Sequence, residues 1–144
     1  MAARSRNLRV LVVDDDHRCR DSLGALLEHE GFDILSAGGG NQALDVLRQG
    51  VAPGPTFVPA QRVDVHFLVL DYNMPDLTGL EVLRVIRSEL QVVIPAILVS
   101  GECSPDLERS VRSEGVFALA EKPIEPVSFR ELVRSLVKFW FPED

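Results

Sequence analysis

Residues 66–75 read HFLVLDYNMP, an apolar run that stops at Asp71. Phe67, Leu68, Val69 and Leu70 predict a strand buried on both faces, and the Asn73, Met74 and Pro75 that follow end it. A carboxylate is thereby held at the mouth of a core. One aspartate so placed decides little, because strand ends and turns commonly carry Asp. Its meaning depends on what else reaches the same edge.

Outward from this run, short strands alternate with helical spacing. Leu8 to Val13 predicts a strand ending in Asp14, Asp15 and Asp16, and Asp16 to Glu30 repeats Cys19, Leu23, Leu26 and Leu27 at helical intervals before Gly31. Phe32 to Ala37 predicts a second strand. Gly38, Gly39 and Gly40 lead into a helix over Asn41 to Gln49 with Ala43, Leu44 and Leu47 on one face. No phosphate-loop pattern is completed around these glycines, which read as a flexible strand-to-helix connection. Beyond the central run, Leu77 to Leu90 predicts a helix with Thr78 as cap and Glu81 three residues on. Val92 to Val99 predicts a strand with Pro95 at its start, ending in Ser100, Gly101 and Glu102. Ser104 to Glu114 is a helix with Pro105 inside its start and Gly115 after its end. A fifth strand, Val116 to Ala120, ends in Glu121, Lys122 and Pro123, and Pro126 to Trp140 is a last helix leading into the aromatic cluster Phe139 to Phe141. That cluster reads as packing at a helix end before a docking site.

Gly50 to Val63 keeps neither period and is an extended surface loop, read as a tolerated insertion before a partner contact. Five strand and helix units in succession predict a parallel sheet with helices on both faces. The site of such a sheet lies beyond the carboxyl ends of its strands.

At 144 residues the chain is one domain, able to bury roughly two thirds of its unfolded surface. A net charge of −7 excludes an electrostatic nucleic-acid binder and favours a cationic ligand or a basic partner patch. Cys19 and Cys103 match no disulfide framework or metal spacing, and the three histidines form no ligand motif. The N-terminal apolar run is too short for a signal peptide and no window reaches a membrane span, so the chain is expected in the cytoplasm.

The strand ends collect Asp14, Asp15 and Asp16 from the first, Asp71 with Asn73 from the third, Ser100 from the fourth and Lys122 from the fifth. Taken singly, each has an ordinary explanation: the first acids cap a helix, Ser100 is a turn hydroxyl, Lys122 a solvated charge. Joint placement argues otherwise. Neighbouring carboxylates repel by about 4 kcal/mol per pair at an effective dielectric near 20, so three ionised together call for a cation. All-oxygen ligands suit Mg2+ before zinc. With Lys122, such a site would stabilise a phosphoryl group in transit to an oxygen nucleophile.

LRVLVVDDD, LVLDYNMPDLTGLEVLRVIR, AILVSGE and ALAEKP, in that order, resemble the four signature segments of the receiver domain of two-component response regulators, especially the single-domain, chemotaxis-like kind. The likeness covers the chain from Leu8 to about Phe139. It implies a flavodoxin-like (βα)5 sheet of strand order 2-1-3-4-5, with 1–144 a single receiver domain and no output domain. It implies that Asp71 accepts a phosphoryl group from a sensor histidine kinase or phosphotransfer protein, and that Asp14, Asp15, Asp71 and the backbone carbonyl of Asn73 hold Mg2+. Ser100 and Lys122 match the residues that bind the phosphoryl group and switch with it, and Lys122–Pro123 matches a cis peptide bond. Asn73 and Glu102 match positions that tune dephosphorylation. Two departures stand out: the rotating aromatic of the fifth strand is replaced by Leu119, with Phe117 close by in the same strand, and the 50–63 loop has no counterpart in compact members.

The function expected is a phosphorylation-dependent signalling module that changes its binding to a downstream protein and is not itself an enzyme on another substrate. A receiver-like scaffold that is never phosphorylated is the main alternative. A Mg2+-dependent aspartyl-phosphate phosphatase needs a DxD pair that Asp71, Tyr72, Asn73 lacks, and a flavin phosphate would meet the repulsion of Asp14 to Asp16. Homodimerisation through the last two units is a family expectation that these residues do not decide.

Overall fold

The computed structural model describes residues 7–49 and 64–143. Strands β1 (Arg9–Val13), β2 (Asp33–Ala37), β3 (Phe67–Asp71), β4 (Ala96–Ser100) and β5 (Ala118–Glu121) form one parallel sheet of order β2-β1-β3-β4-β5. The fold is flavodoxin-like, with helices α1 (His17–His29), α2 (Gly40–Gln49), α3 (Gly79–Val85), α4 (Pro105–Ser113) and α5 (Pro126–Trp140) between and after the strands. The expected loop over 50–63 lies outside the described residues.

Alternation along each strand splits the core in two. Leu11, Leu68, Leu70 and Leu98 face α2, α3 and α4, meeting Leu44, Leu47, Leu80, Leu83 and Leu107. Val10, Val12, Val69 and Ile97 face α1 and α5, meeting Leu23, Leu27, Phe129, Val133 and Leu136. Every residue of β3 is buried, as its unbroken apolar run predicts for a central parallel strand. Truncating one of these leucines to alanine would cost about 2–5 kcal/mol.

Most helices are started by the loop that precedes them. Asp16 accepts a hydrogen bond from the Arg18 N–H, Ser104 from the Leu107 N–H, and Glu125 from the Val127 and Ser128 N–H groups. Thr78 and Glu81 complete the expected capping box of α3. Gly31 and Gly115 follow α1 and α4 with φ of +98° and +73°, a conformation that a side chain would oppose.

Three expectations need correction. The strand predicted from Val92 begins only at Ala96: Val92 and Val93 are 37% and 67% exposed, and pairing with β3 starts at Leu68 opposite Ala96. The helix predicted over Leu77 to Leu90 is α-helical only to Val85 and continues as a π-helical turn, Ile86–Leu90, ended by Gln91 at φ +57°. The glycine run is a fitted contact and no loose connection, because Gly40 is buried and a Cβ there would lie 2.8 Å from the Leu77 Cβ.

Candidate functional site

Parallel registry brings the strand ends level. Val13 pairs with Leu70, Asp71 with Val99, and Ser100 with Glu121, so the residues that follow emerge along one edge. Asp14, Asp71 and Ser100 are the buried polar residues of the described chain.

Asp14, Asp15 and Asp71 each bring a carboxylate oxygen within 4.8 Å of the others, Asp15 from an exposed position. Lys122 reaches in from the turn after β5, its Nζ 3.2 Å from Asp14 Oδ2 and 3.3 Å from Asp71 Oδ1. Asp14 is further held by its own turn: its Oδ1 accepts the Asp16 N–H at 2.9 Å, and its carbonyl accepts a bond from Arg20 Nη1 at 2.8 Å. Burial pushes the Asp71 carboxyl up to about 6, with the charge of Asp14 adding to the rise and Lys122 opposing it. Burial works against the Lys122 ammonium too, yet its bonds to Asp14 and Asp71 hold its pKa above the ordinary lysine value. This donor set fits a hard divalent cation, being oxygen only, doubly buried and more negative than Lys122 alone offsets.

Ser100 is brought to the edge but turned into its own loop. Its Oγ donates to the Glu102 carbonyl at 2.8 Å and accepts the Glu102 N–H at 3.2 Å. Its carbonyl accepts the Lys122 N–H at 2.9 Å, tying the fourth and fifth strand ends together. Asn73 and Glu102 are exposed beside this edge, and the Lys122–Pro123 peptide bond is cis.

Leu119 is half-buried on the α2, α3 and α4 face. Phe117 does not stand in for an aromatic there: it lies just before β5 and packs on the opposite face, with its ring 6.4 Å from that of Phe139. The terminal aromatics divide. Phe141 packs against the core and meets His66 edge to face at 5.7 Å, whereas Phe139 is 74% exposed. Both cysteines are free, and burial pushes each thiol above its ordinary value, so neither is a ready thiolate. A largely apolar groove of about 580 Å³ opens beside Lys122, between Cys19, Leu23 and Leu26 of α1 and the turn Pro123 to Pro126.

Two contributors were not singled out from sequence. Arg20 holds the Asp14 carbonyl, and Asp76 accepts the N–H groups of Gly40 and Asn41 at 3.1 and 2.9 Å. Together with the Leu77 N–H at 2.8 Å, these bonds hold the Asp76 carboxyl below the usual range, the Asn41 bond contributing most. The available signal was the glycine run itself, which leaves α2 without an Asp, Asn, Ser or Thr before it.

A family model for the response regulator receiver domain matches residues 10–134. The chemotaxis protein CheY of Pseudomonas aeruginosa is 28% identical, the match covering 90% of this chain and 95% of that protein. The sensory/regulatory protein RpfC of Xanthomonas campestris is 29% identical over 85% of this chain, which spans only 15% of RpfC. Among solved structures, the response regulator protein TrrA of Thermotoga maritima, in complex with Mg(2+)-BeF, aligns with a TM-score of 0.70 at 26% identity, covering 90% of this chain and 98% of that one. No helix among the described residues is long and apolar enough to cross a membrane. Sheet order, strand-end chemistry and sequence match agree: the chain belongs to the response regulator receiver family, the phosphoaccepting modules of two-component signalling.

Proposed function

We propose that this receiver domain, spanning the whole chain, accepts a phosphoryl group on Asp71 from the phosphohistidine of a sensor histidine kinase or phosphotransfer protein. The observation that carries this reading is the Asp71 carboxylate, buried at the end of the central strand with Lys122 at 3.3 Å and the acids Asp14 and Asp15 beside it. An Asp71 oxygen forms the new O–P bond as the donor's N–P bond breaks, and the freed imidazole keeps the electron pair. A carboxyl titrating near 6 is largely ionised, and so nucleophilic, at neutral pH. Asp14, Asp15, Asp71 and the Asn73 carbonyl would hold Mg2+, which when bound supplies positive charge against the phosphoryl oxygens.

Lys122 lies close enough to Asp71 to pair with the new anion. Ser100 would give up its bonds to Glu102 and turn its hydroxyl toward the phosphoryl group, and Leu119 would follow with a smaller displacement than an aromatic makes. Asn73 and Glu102 are exposed near the strand-end edge, Glu102 bonded through its backbone to Ser100, which supports a role for both in tuning dephosphorylation. The groove beside Lys122 supports docking of the donor domain next to the reacting carboxylate. Phosphorylation then alters binding to a downstream protein, in the cytoplasm. Acetyl phosphate or the cognate kinase with Mg2+ is expected to label the wild type, and Asp71→Asn to abolish labelling. Undiminished label on that variant sinks the assignment, and no label on the wild type leaves the unphosphorylated scaffold.

A further inference from the structure

We propose that Asp76 is a positioning residue for the Mg2+ and phosphoacceptor site, clipping the turn that carries Asn73 onto the first turn of α2. The proposal rests on the reading of Asp71, Asn73 and Mg2+ given above. The turn between β3 and α3 is anchored at both feet: the Tyr72 N–H donates to the Val99 carbonyl at 2.8 Å, and the Gly79 N–H to the Tyr72 carbonyl at 2.9 Å. Asn73 lies between those feet, one of them bonded to β4, and Asp76 ties the same turn to α2.

Asp76 does so with both carboxylate oxygens. Oδ1 accepts the Gly40 N–H at 3.1 Å and Oδ2 the Asn41 N–H at 2.9 Å, across 36 and 35 residues of sequence. An anion bonded to two free N–H groups at a helix start is the favourable arrangement for that dipole. Sterics enforce the same contact. A Cβ on Gly39 would stand 3.2 Å from Asp76 Oδ2, and one on Gly40 would stand 2.8 Å from the Leu77 Cβ and 3.0 Å from Val82 Cγ2. The glycine run thus makes room for the turn, and the turn supplies the cap the glycines lack. Losing a group bonded directly to a metal ligand commonly weakens metal binding by about 10–100-fold. Asp76 bonds Gly40, Asn41 and Leu77 and acts on Asn73 through the turn, which puts its effect at the low end of that range.

The test is Mg2+ titration by calorimetry on the full chain, with acetyl-phosphate labelling at low and saturating Mg2+. Asp76→Asn is expected to weaken Mg2+ by about tenfold and to slow labelling at low Mg2+, with most of the rate restored at saturation. Asn41→Pro removes one donor at a helix position that tolerates proline, keeps the Asp76 charge, and is expected to reproduce the loss. The double variant should lose little more than either single one, because both break one contact. Linkage adds a second readout: Mg2+ should slow hydrogen exchange at Gly40 and Asn41 in the wild type. Unchanged Mg2+ affinity in the variants, with only a lowered Tm, would mean that Asp76 is a stabilising cap and overturn the proposal. Weakening in Asp76→Asn but not in Asn41→Pro would also overturn it, assigning the effect to charge. A wild type that binds no Mg2+ would defeat the underlying reading of the site, a result separable from both.

Discussion

Asp71 and Asp76 are the same residue type five positions apart, and the fold drives them in opposite directions. Asp71 ends a strand inside the core, beside another buried carboxylate, and its proton is held to about 6. Asp76 sits at the surface with three backbone N–H groups pointing at it, and its proton leaves more readily than usual. The first is kept uncomfortable and therefore reactive, and the second is satisfied and therefore holds things in place. What separates them is the count of donors and the depth of burial.

The largest test of this contrast acts on the backbone under Asp71. A methyl at Gly79 would lie 2.6 Å from Leu98 Cδ2 and 2.9 Å from the Asp71 carbonyl oxygen, so Gly79→Ala is expected to cost about 3 kcal/mol in urea unfolding. Displacing Asp71 should also impair labelling. Next comes Asp71→Asn without metal. Asp71 titrates at 3.8 unfolded and near 6 folded, so the folded protein holds the extra proton between those values. Its contribution to stability is therefore full below the unfolded value and lost as pH rises through about 6. The neutral amide escapes that loss, and the variant should be more stable than wild type by about 2 kcal/mol at pH 8, with the difference closing toward pH 4. Equal stability at pH 8 would mean that Lys122 alone fully offsets the buried charge.

The smallest effect belongs to Asp76→Ala, expected to cost about 1 kcal/mol as a lost helix cap. Its sign is reversed: the folded pKa is depressed, so the contribution is present above 3.8 and lost as pH falls through the lower folded value. Chemical denaturation of wild type and both variants across acid pH would show two difference curves of opposite slope. Parallel curves would break the comparison.

What was legible in the sequence follows the same division between local and distant causes. Strand and helix alternation, the Thr78 and Glu81 capping box and the placement of Pro105 depend on neighbours within a few residues, and each lies where its pattern indicates. The meeting of Asp14, Asp15, Asp71 and Lys122 was readable because a parallel sheet presents the carboxyl ends of all its strands along one edge. Val92 and Val93 misled because β-branched residues favour strands only where a neighbour offers a ladder, and β3 offers one from Leu68 onward. The π-helical turn after Val85 and the Asp76 contact with α2 carry no local pattern, the latter joining residues 36 apart. Ser100 was readable as a residue at the edge, but its bonds to Glu102 were not.

The chain holds one tyrosine and one tryptophan. Tyr72 adjoins Asp71, whereas Trp140 closes α5, fifteen residues of helix that run from the Lys122 end of the sheet and carry it about 20 Å away. The molecule therefore has two intrinsic fluorophores at opposite poles, one reading the site and one reading the remote surface. Excitation selective for indole makes Trp140 a distant listener: a shift in its emission on phosphorylation would time the arrival of the signal at the far end without any attached dye.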